Sequence, residues 1–315
     1  MLDNKASIII FLVNNYECNE VINFIENDIK TLYSCIRVNR SFCRTFIPIL
    51  WKNPFKFISD DKRLVQLFST LIRCLHQIDK KWLENEYSIQ VDKFHTSKVY
   101  FKYHTFIKDF ELNPLQRAMR LWATEHLAGK KGKNDQIYDS STKRRIIRKK
   151  VNKINHHIGN LLFNKGGQYG SLNIYYNDLL SGPRSLLDIC AIKNYKQSLV
   201  DVNKLSLGLF NKNSMNLIPI ITYNFQGLQN ALSKNNIQHL QILINTQKDH
   251  SVLTGDLIDF IQSQGQLKSL STNVFWKADA TKSFLDALKM HSTSITFLRI
   301  EDEDISNSSN QLLLS

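Results

Sequence analysis

The sequence predicts an α/β chain in which a short cluster of three N-terminal helices precedes an irregular solenoid of strand-and-helix units. Three observations lead there. A dense apolar stretch closes on Trp51. A six-residue pattern, apolar-x-x-apolar-x-apolar, returns repeatedly after residue 100. Between the returns, apolar residues recur at helical spacing. The chain has 315 residues, 43% of them hydrophobic and 22% charged, enough to bury a large core and to form about two domains.

The first 55 residues read as short helices. Glu20–Ile25 is one, and Asn27 or Asp28 can cap the next. That second helix places Leu32, Tyr33, Cys35, Ile36 and Val38 on an apolar stripe. A break at Asn39-Arg40 starts a third, with Phe42, Phe46, Ile49 and Leu50, in which Pro48 predicts a kink or an end. Helices this short must pack together, and Trp51 is expected to close the cluster by burial against Leu32, Ile36 and Phe42. Asp60 then opens an amphipathic helix carrying Leu64, Leu67, Phe68, Leu71, Ile72 and Leu75.

After that helix the strand pattern begins. It appears as "IKDFEL" at Ile107, "YGSLNI" at Tyr169, "VNKLSL" at Val202, "IQHLQI" at Ile237 and "ITFLRI" at Ile295, with "LKSLST" at Leu267 ending on Thr272. The central residues Phe110, Leu172, Leu205, Leu240, Leu270 and Leu298 lie 62, 33, 35, 30 and 28 residues apart. Helical stretches fill the gaps: one with Leu115, Met119, Trp122 and Leu127, another with Ile147, Val151, Ile154, Ile158 and Leu161, a third with Phe284, Leu285 and Leu288. One strand and one helix per unit is the spacing of leucine-rich repeats, here with a long and uneven period. Alternation points Leu172, Ile174, Leu205, Leu207, Leu240 and Ile242 inward. It assigns Asn173, Tyr175, Ser206, Gln241, Leu243, Ser271, Arg299 and Glu301 to the concave face. An ordinary α/β domain with unrelated strands is the alternative.

The stretch from Leu32 to Pro54 includes "VNRSFCRTFIPILW" and its carriers are Leu32, Tyr33, Ser34, Cys35, Ile36, Val38, Asn39, Arg40, Phe42, Cys43, Pro48, Ile49, Leu50, Trp51 and Asn53-Pro54. With the repeats that follow, it resembles an F-box protein with leucine-rich repeats, most similar to the F-box-like families expanded in fungal genomes. The fold so implied is a short N-terminal three-helix F-box followed by an irregular leucine-rich-repeat solenoid. Residues 1–55 would be the box, 56–100 a helical linker, 101–305 the solenoid with a basic insertion near 129–153, and 306–315 a tail. The resemblance implies a substrate-recognition adaptor of a cullin–RING ubiquitin ligase. Leu32, Cys35, Ile36, Val38, Phe42 and Trp51 would serve the contact with a Skp-type adaptor, and the repeats would hold a protein substrate. The usual Leu-Pro opening of the box is replaced by "IIIFLVNNYECNEVINFIEN". A scaffold with a degenerate box is therefore the second reading.

Charge and motifs bound the rest. The net charge is +13, of which Lys130 to Lys153 carry +8 through ten Lys/Arg and two Asp. A nucleic-acid-binding role for that segment is the third reading, by attraction to phosphates. The buried Ile/Val stripe beside it makes a solvated helix face the expected state, and nucleic acid is not an expected partner. Five scattered cysteines without a Cys-x-x-Cys read as reduced thiols in the cytoplasm or nucleus. No run reaches the roughly 18 apolar residues of a membrane span, and Ile8–Val13 does not read as a signal peptide. Phosphate-binding, nucleophile-elbow and zinc-helix motifs are absent, so neither catalysis nor a cofactor or metal is expected. Gly166 and Gly167 follow a helix and read as its stop.

Overall fold

The computed structural model describes residues 25–87, 99–127, 140–177, 189–210, 226–232, 237–245, 251–273 and 278–300. Two short helices come first. Helix α1, Ile29–Ile36, starts at Asp28, whose carboxylate accepts from the Thr31 N–H at 3.2 Å and from the Thr31 hydroxyl at 2.7 Å. Helix α2, Arg40–Leu50, starts at Asn39, whose side chain accepts from the Phe42 N–H at 2.9 Å. Each cap satisfies amide donors that a helix N-terminus leaves open. Pro48 sits in the last turn of α2 and withholds one N–H from it, while the Trp51 N–H still closes the helix on the Ile47 carbonyl at 3.0 Å. Ile25, Leu32, Cys35, Phe42 and Phe46 form a small core of their own, with Ile36, Val38, Ile49 and Leu50 packed on it.

Helix α3, Asp61–Arg73, is capped by Asp60, and helix α4, Gln77–Tyr87, follows. A 3-10 turn at Tyr103–Thr105 leads into strand β1, Asp109–Glu111. Helices α5, Leu112–Leu127, and α6, Ser140–Gly159, come next, the latter running into a π-helical turn at Asn160–Asn164. Strand β2 is Ser171–Asn177, helix α7 Tyr195–Ser198 and strand β3 Lys204–Phe210. Helix α8 covers 226–232. Strand β4, His239–Asn245, helix α9, Ser251–Ser263, strand β5, Ser269–Thr272, helix α10, Ala278–Lys289, and strand β6, Phe297–Ile300, complete the order.

The six strands form one sheet in sequence order, β1-β2-β3-β4-β5-β6, and every pair is parallel. The register never slips. Phe110, Leu172, Leu205, Leu240, Leu270 and Leu298 stand in one row across the sheet. All of them but Leu298, at the edge, are fully buried, as are Ile174, Leu207 and Ile242 on the same face. A repeated hydrogen bond locks the strand starts. The Lys108 carbonyl accepts the N–H groups of Gly170 and Ser171, at 2.9 and 3.2 Å. The Gly170, Asn203, Gln238 and Lys268 carbonyls each accept two N–H groups from the next strand in the same way. The series begins one step before the sheet: the Lys52 carbonyl accepts from Lys108 and Asp109, at 2.9 and 3.0 Å. The chain just after α2 thus closes the start of β1.

This architecture corrects the expected one. The chain does not form a helical F-box followed by a leucine-rich-repeat solenoid. It forms an α/β fold around a six-stranded all-parallel sheet with helices between the strands. The strand pattern is the signature of any parallel strand with one buried face, and it does not specify what surrounds the sheet. The connections are not copies of one unit: β1 to β2 holds helices of 16 and 20 residues, whereas α7, between β2 and β3, has four. Helix α3, expected in a linker, contributes Leu64, Phe68, Leu71 and Ile72 to the core that also contains the strands. The cluster around α1 and α2 is not closed by Trp51, which packs on that larger core instead. The Glu20–Ile25 helix expected to complete the cluster lies outside the described residues except for Ile25.

The main core runs from Phe55 to Ala287. It holds an aromatic trio: Phe110 to Phe163 at 4.9 Å, Phe163 to Tyr169 at 5.1 Å and Phe110 to Tyr169 at 5.6 Å between ring centres. The Tyr169 hydroxyl is fully buried and donates to the Leu162 carbonyl at 3.0 Å, so burial drives its ionisation far upward. Gly166 follows the π-helical turn because a Cβ there would strike the Leu162 carbonyl oxygen. Polar residues tie successive helices together. Ser198 donates to the Phe163 carbonyl at 2.7 Å, and a His291 ring nitrogen lies 2.8 Å from the Ile261 carbonyl. Both bonds reach carbonyls at helix ends, and the Ile261 carbonyl accepts the Gln264 N–H as well, at 3.2 Å.

Candidate protein-binding face

The side of the sheet opposite the core is polar. Its middle row reads Glu111, Asn173, Ser206, Gln241, Ser271 and Arg299, one residue per strand in unbroken register. The row toward the strand starts reads Asp109, Ser171, Lys204, His239, Ser269 and Phe297. The row beyond the middle has Tyr175, Gly208 and Leu243. Six of the eight residues assigned to this face therefore stand in two adjacent rows on strands β2 to β5, and Arg299 extends the middle row onto β6. Glu301 lies outside the described residues.

The face is not a simple wet surface. Ser206 is buried, and Asn173, Tyr175, Gln241, Leu243 and Ser271 are half-buried. Tyr175 accounts for part of this. Gly208 leaves no side chain between Tyr175 and Leu243, and the Tyr175 hydroxyl reaches the Gln241 side-chain oxygen at 3.2 Å. A tyrosine fixed in this way presents a rigid ring at low entropic cost. Near β1 the charges pair. Asn53 donates to Glu111 at 2.7 Å, and Lys52 meets Glu26 at 3.2 Å. Burial pushes the Asp109 carboxyl up, against the opposing pull of Lys52 and Lys204. On β4, His239 lies 3.1 Å from the Ser269 hydroxyl.

The residues assigned to an adaptor contact divide differently. Leu32, Cys35 and Phe42 are buried inside the small helical core, and Ile36 and Val38 are half-buried on its rim. Burial raises the Cys35 thiol pKa, in keeping with a packed, protonated side chain. Trp51 was expected beside Leu32, Ile36 and Phe42. It is half-buried, with its ring 4.4 Å from that of Tyr103. The reason is the Lys52 hydrogen bond to β1, which draws the end of α2 toward the sheet. Tyr33, assigned to the apolar stripe of α1, is 51% exposed.

The basic segment enters α6, whose backbone is helical from Ser140 to Gly159. The side chains of Lys143, Arg144, Arg145 and Arg148 lie outside the described residues; Lys149 and Lys153 are exposed. Val151, Ile154 and Ile158 face the core. His157 is held between Asp79 and Trp82 of α4: its Nδ1 is 3.1 Å from the Asp79 carboxylate and its ring 4.4 Å from the Trp82 ring. Burial lowers its pKa, and the Asp79 hydrogen bond opposes that shift. Pattern reading passed over this contact, because Asp79 and His157 are 78 residues apart. Cys35, Cys43, Cys74 and Cys190 are free thiols, and no group of His, Cys, Asp and Glu among the described residues is placed to hold a metal ion. No described helix is long and apolar enough to cross a membrane.

No family model, no curated protein and no solved structure matches this chain.

Proposed function

We propose that the protein is a non-catalytic recognition subunit in which the polar face of the sheet holds a partner protein and the helical head docks a second protein. Its place would be that of a substrate receptor in a cullin–RING ubiquitin ligase, with a Skp-type adaptor at the head, in the cytoplasm or nucleus. The observation that carries the reading is the unbroken row Asn173, Ser206, Gln241 and Ser271 across four strands. Parallel sheets are ordinarily covered on both faces. Among the described residues one face is packed with helices, and the other carries amides, hydroxyls and a fixed tyrosine, half-buried apart from the buried Ser206. That combination suits the hydrogen-bonding, water-tolerant contact of one protein with another. The head adds exposed Tyr33 and half-buried Ile36, Val38, Ile49 and Leu50 at its rim.

The test uses a photo-crosslinking residue at Ser271, on the face, or at Lys193, exposed and away from the strands. Protein adducts from Ser271 and none from Lys193 support the reading; equal labelling contradicts it. Co-purification with a Skp-type adaptor tests the head separately. The sealing of Leu32, Cys35 and Phe42 inside the head favours a second reading, a scaffold without a ligase contact. Adaptor loss together with retained Ser271 adducts would select it.

A further inference from the structure

Two hydrogen-bond donors on helix α5 are buried without an acceptor. Gln116 is only 6% exposed, and its Nε2 has no hydrogen-bond partner. Arg120 is half-buried, and its Nη1 is enclosed and equally without a partner. The two residues stand four apart, so both side chains leave the same face of the helix, one turn from each other. The two arginines of this helix differ in their surroundings. Arg117 meets the Asp61 carboxylate at 2.6 Å, at the surface. No carboxylate among the described residues pairs with Arg120; burial lowers its pKa, and the charge of Arg117 adds to that shift. An enclosed guanidinium nitrogen with neither an acceptor nor a counter-charge is costly to keep.

We propose that Gln116 and Arg120 form a binding site for a carboxylate group. The donor set selects the guest. Nε2 of Gln116 and Nη1 of Arg120 offer N–H groups, so the guest must accept at both, and the paired oxygens of a carboxylate suit a planar guanidinium with an amide beside it. Charge narrows the choice. Asp61 neutralises Arg117, which leaves one positive charge at the site, and a monoanion balances it where a phosphate dianion would overshoot. A net charge of +13 over the whole chain favours the approach of an anion. Arg120 is partly exposed and gives a small anion a way in from solvent. The inference does not depend on the proposed function. Leu115, Met119 and Trp122 of α5 belong to the core that the inward strand residues share, so the site lies on the helix-covered side of the sheet and away from the polar face.

Thermal melts of the full chain in about 0.1 M sodium formate, against sodium chloride at equal ionic strength, test it. Formate should raise the midpoint by about 2 °C relative to chloride, as a ligand held only by the folded state does. Arg120→Gln and Arg120→Lys should each remove that difference, the second because it keeps the charge and loses the planar fork. Arg117→Gln, one turn away and paired with Asp61, should retain it. Equal midpoints in the two salts overturn the proposal. So does a formate effect that survives both Arg120 changes, or one that Arg117→Gln abolishes equally, since that would be bulk charge. Repeating the melts with N-acetylglutamate amide separates two sources of the same group. A rise that depends on Arg120 supports a site open to the acidic side chain of a protein, and a rise with formate alone supports one that takes free small acids.

Discussion

The helical head and the sheet body solve the same problem on different scales. The head buries five residues, Ile25, Leu32, Cys35, Phe42 and Phe46, contributed by segments close in sequence. The body buries a continuous core from Phe55 to Ala287 and stacks six strands whose central residues come from positions as far apart as 110 and 298. A core as small as the head's stabilises little by itself. What holds the head is its junction: the Trp51–Tyr103 ring contact, the Lys52 carbonyl bonded to the start of β1, and the Asn53–Glu111 hydrogen bond. The head should therefore open locally at a free-energy cost well below that of the body, as small, locally folded segments do.

The largest effect that would sharpen this contrast is a charge in the body core. Leu240→Asp buries an unpaired carboxylate in the centre of the sheet and should cost about 4 kcal/mol or more, enough to abolish the cooperative urea transition. Its neighbour in sequence points the other way, so Gln241→Glu should shift the midpoint by no more than about 0.5 kcal/mol. Similar losses for both would break the assignment of faces. Phe46→Ala, in the head, removes a fully buried ring with a cost of about 3–4 kcal/mol, and that cost should fall on the head alone. Limited proteolysis should then cut within α1 and α2 while the main transition keeps its midpoint. If the main transition falls with it, head and body are one cooperative unit.

Acid should act on the body. His104 is buried, and burial lowers its pKa from 6.5 to about 4, with the neighbouring Lys102 charge adding to the shift. The folded-state value lies below the unfolded one, so the unfolded chain takes up the proton first as pH falls. Stability is complete above about pH 6.5 and declines toward pH 4, by about 3 kcal/mol from this group. His157 is displaced in the same direction by burial. His104→Gln should flatten the slope of unfolding free energy in that window, and an unaltered slope would show that His104 does not carry it.

Trp51→Ala removes the ring contact of the junction and leaves its two hydrogen-bonded contacts. Because the ring is half-buried, the expected cost is about 2 kcal/mol, with the head loosened and the sheet intact. A small effect is expected on the polar face. Tyr175→Phe removes one hydrogen bond, to Gln241, and should cost about 1 kcal/mol or less in thermal melts. A larger loss would mean that the face is a structural layer and not a surface held ready for a partner.

Much of the body could be read from the residues. The apolar-x-x-apolar-x-apolar stretches locate all six strands, because a strand with one buried face repeats its burial every second residue. The same alternation assigns Asn173, Ser206, Gln241 and Ser271 to one face. It could not identify the surrounding fold, since the pattern is equally that of a leucine-rich repeat. Trp51 was misplaced for a related reason. Its spacing from Leu32 and Phe42 suits a local cluster, but the ring's partner, Tyr103, is 52 residues away, and helical periodicity carries no information about that distance. The buried bonds from Ser198 to Phe163 and from His291 to Ile261 likewise join residues about one strand spacing apart. A polar residue just before a strand pattern was the available signal for them, and composition alone gives it no partner.

Native-state hydrogen exchange tests the division into head and body most directly. It reads the opening free energy of each amide in the intact chain. Amides of α1 and α2 should exchange through a low-energy local opening, while those of β2, β3 and β4 should exchange only with global unfolding. Protection of the head equal to that of the strands, rising and falling with them in denaturant, would contradict that division.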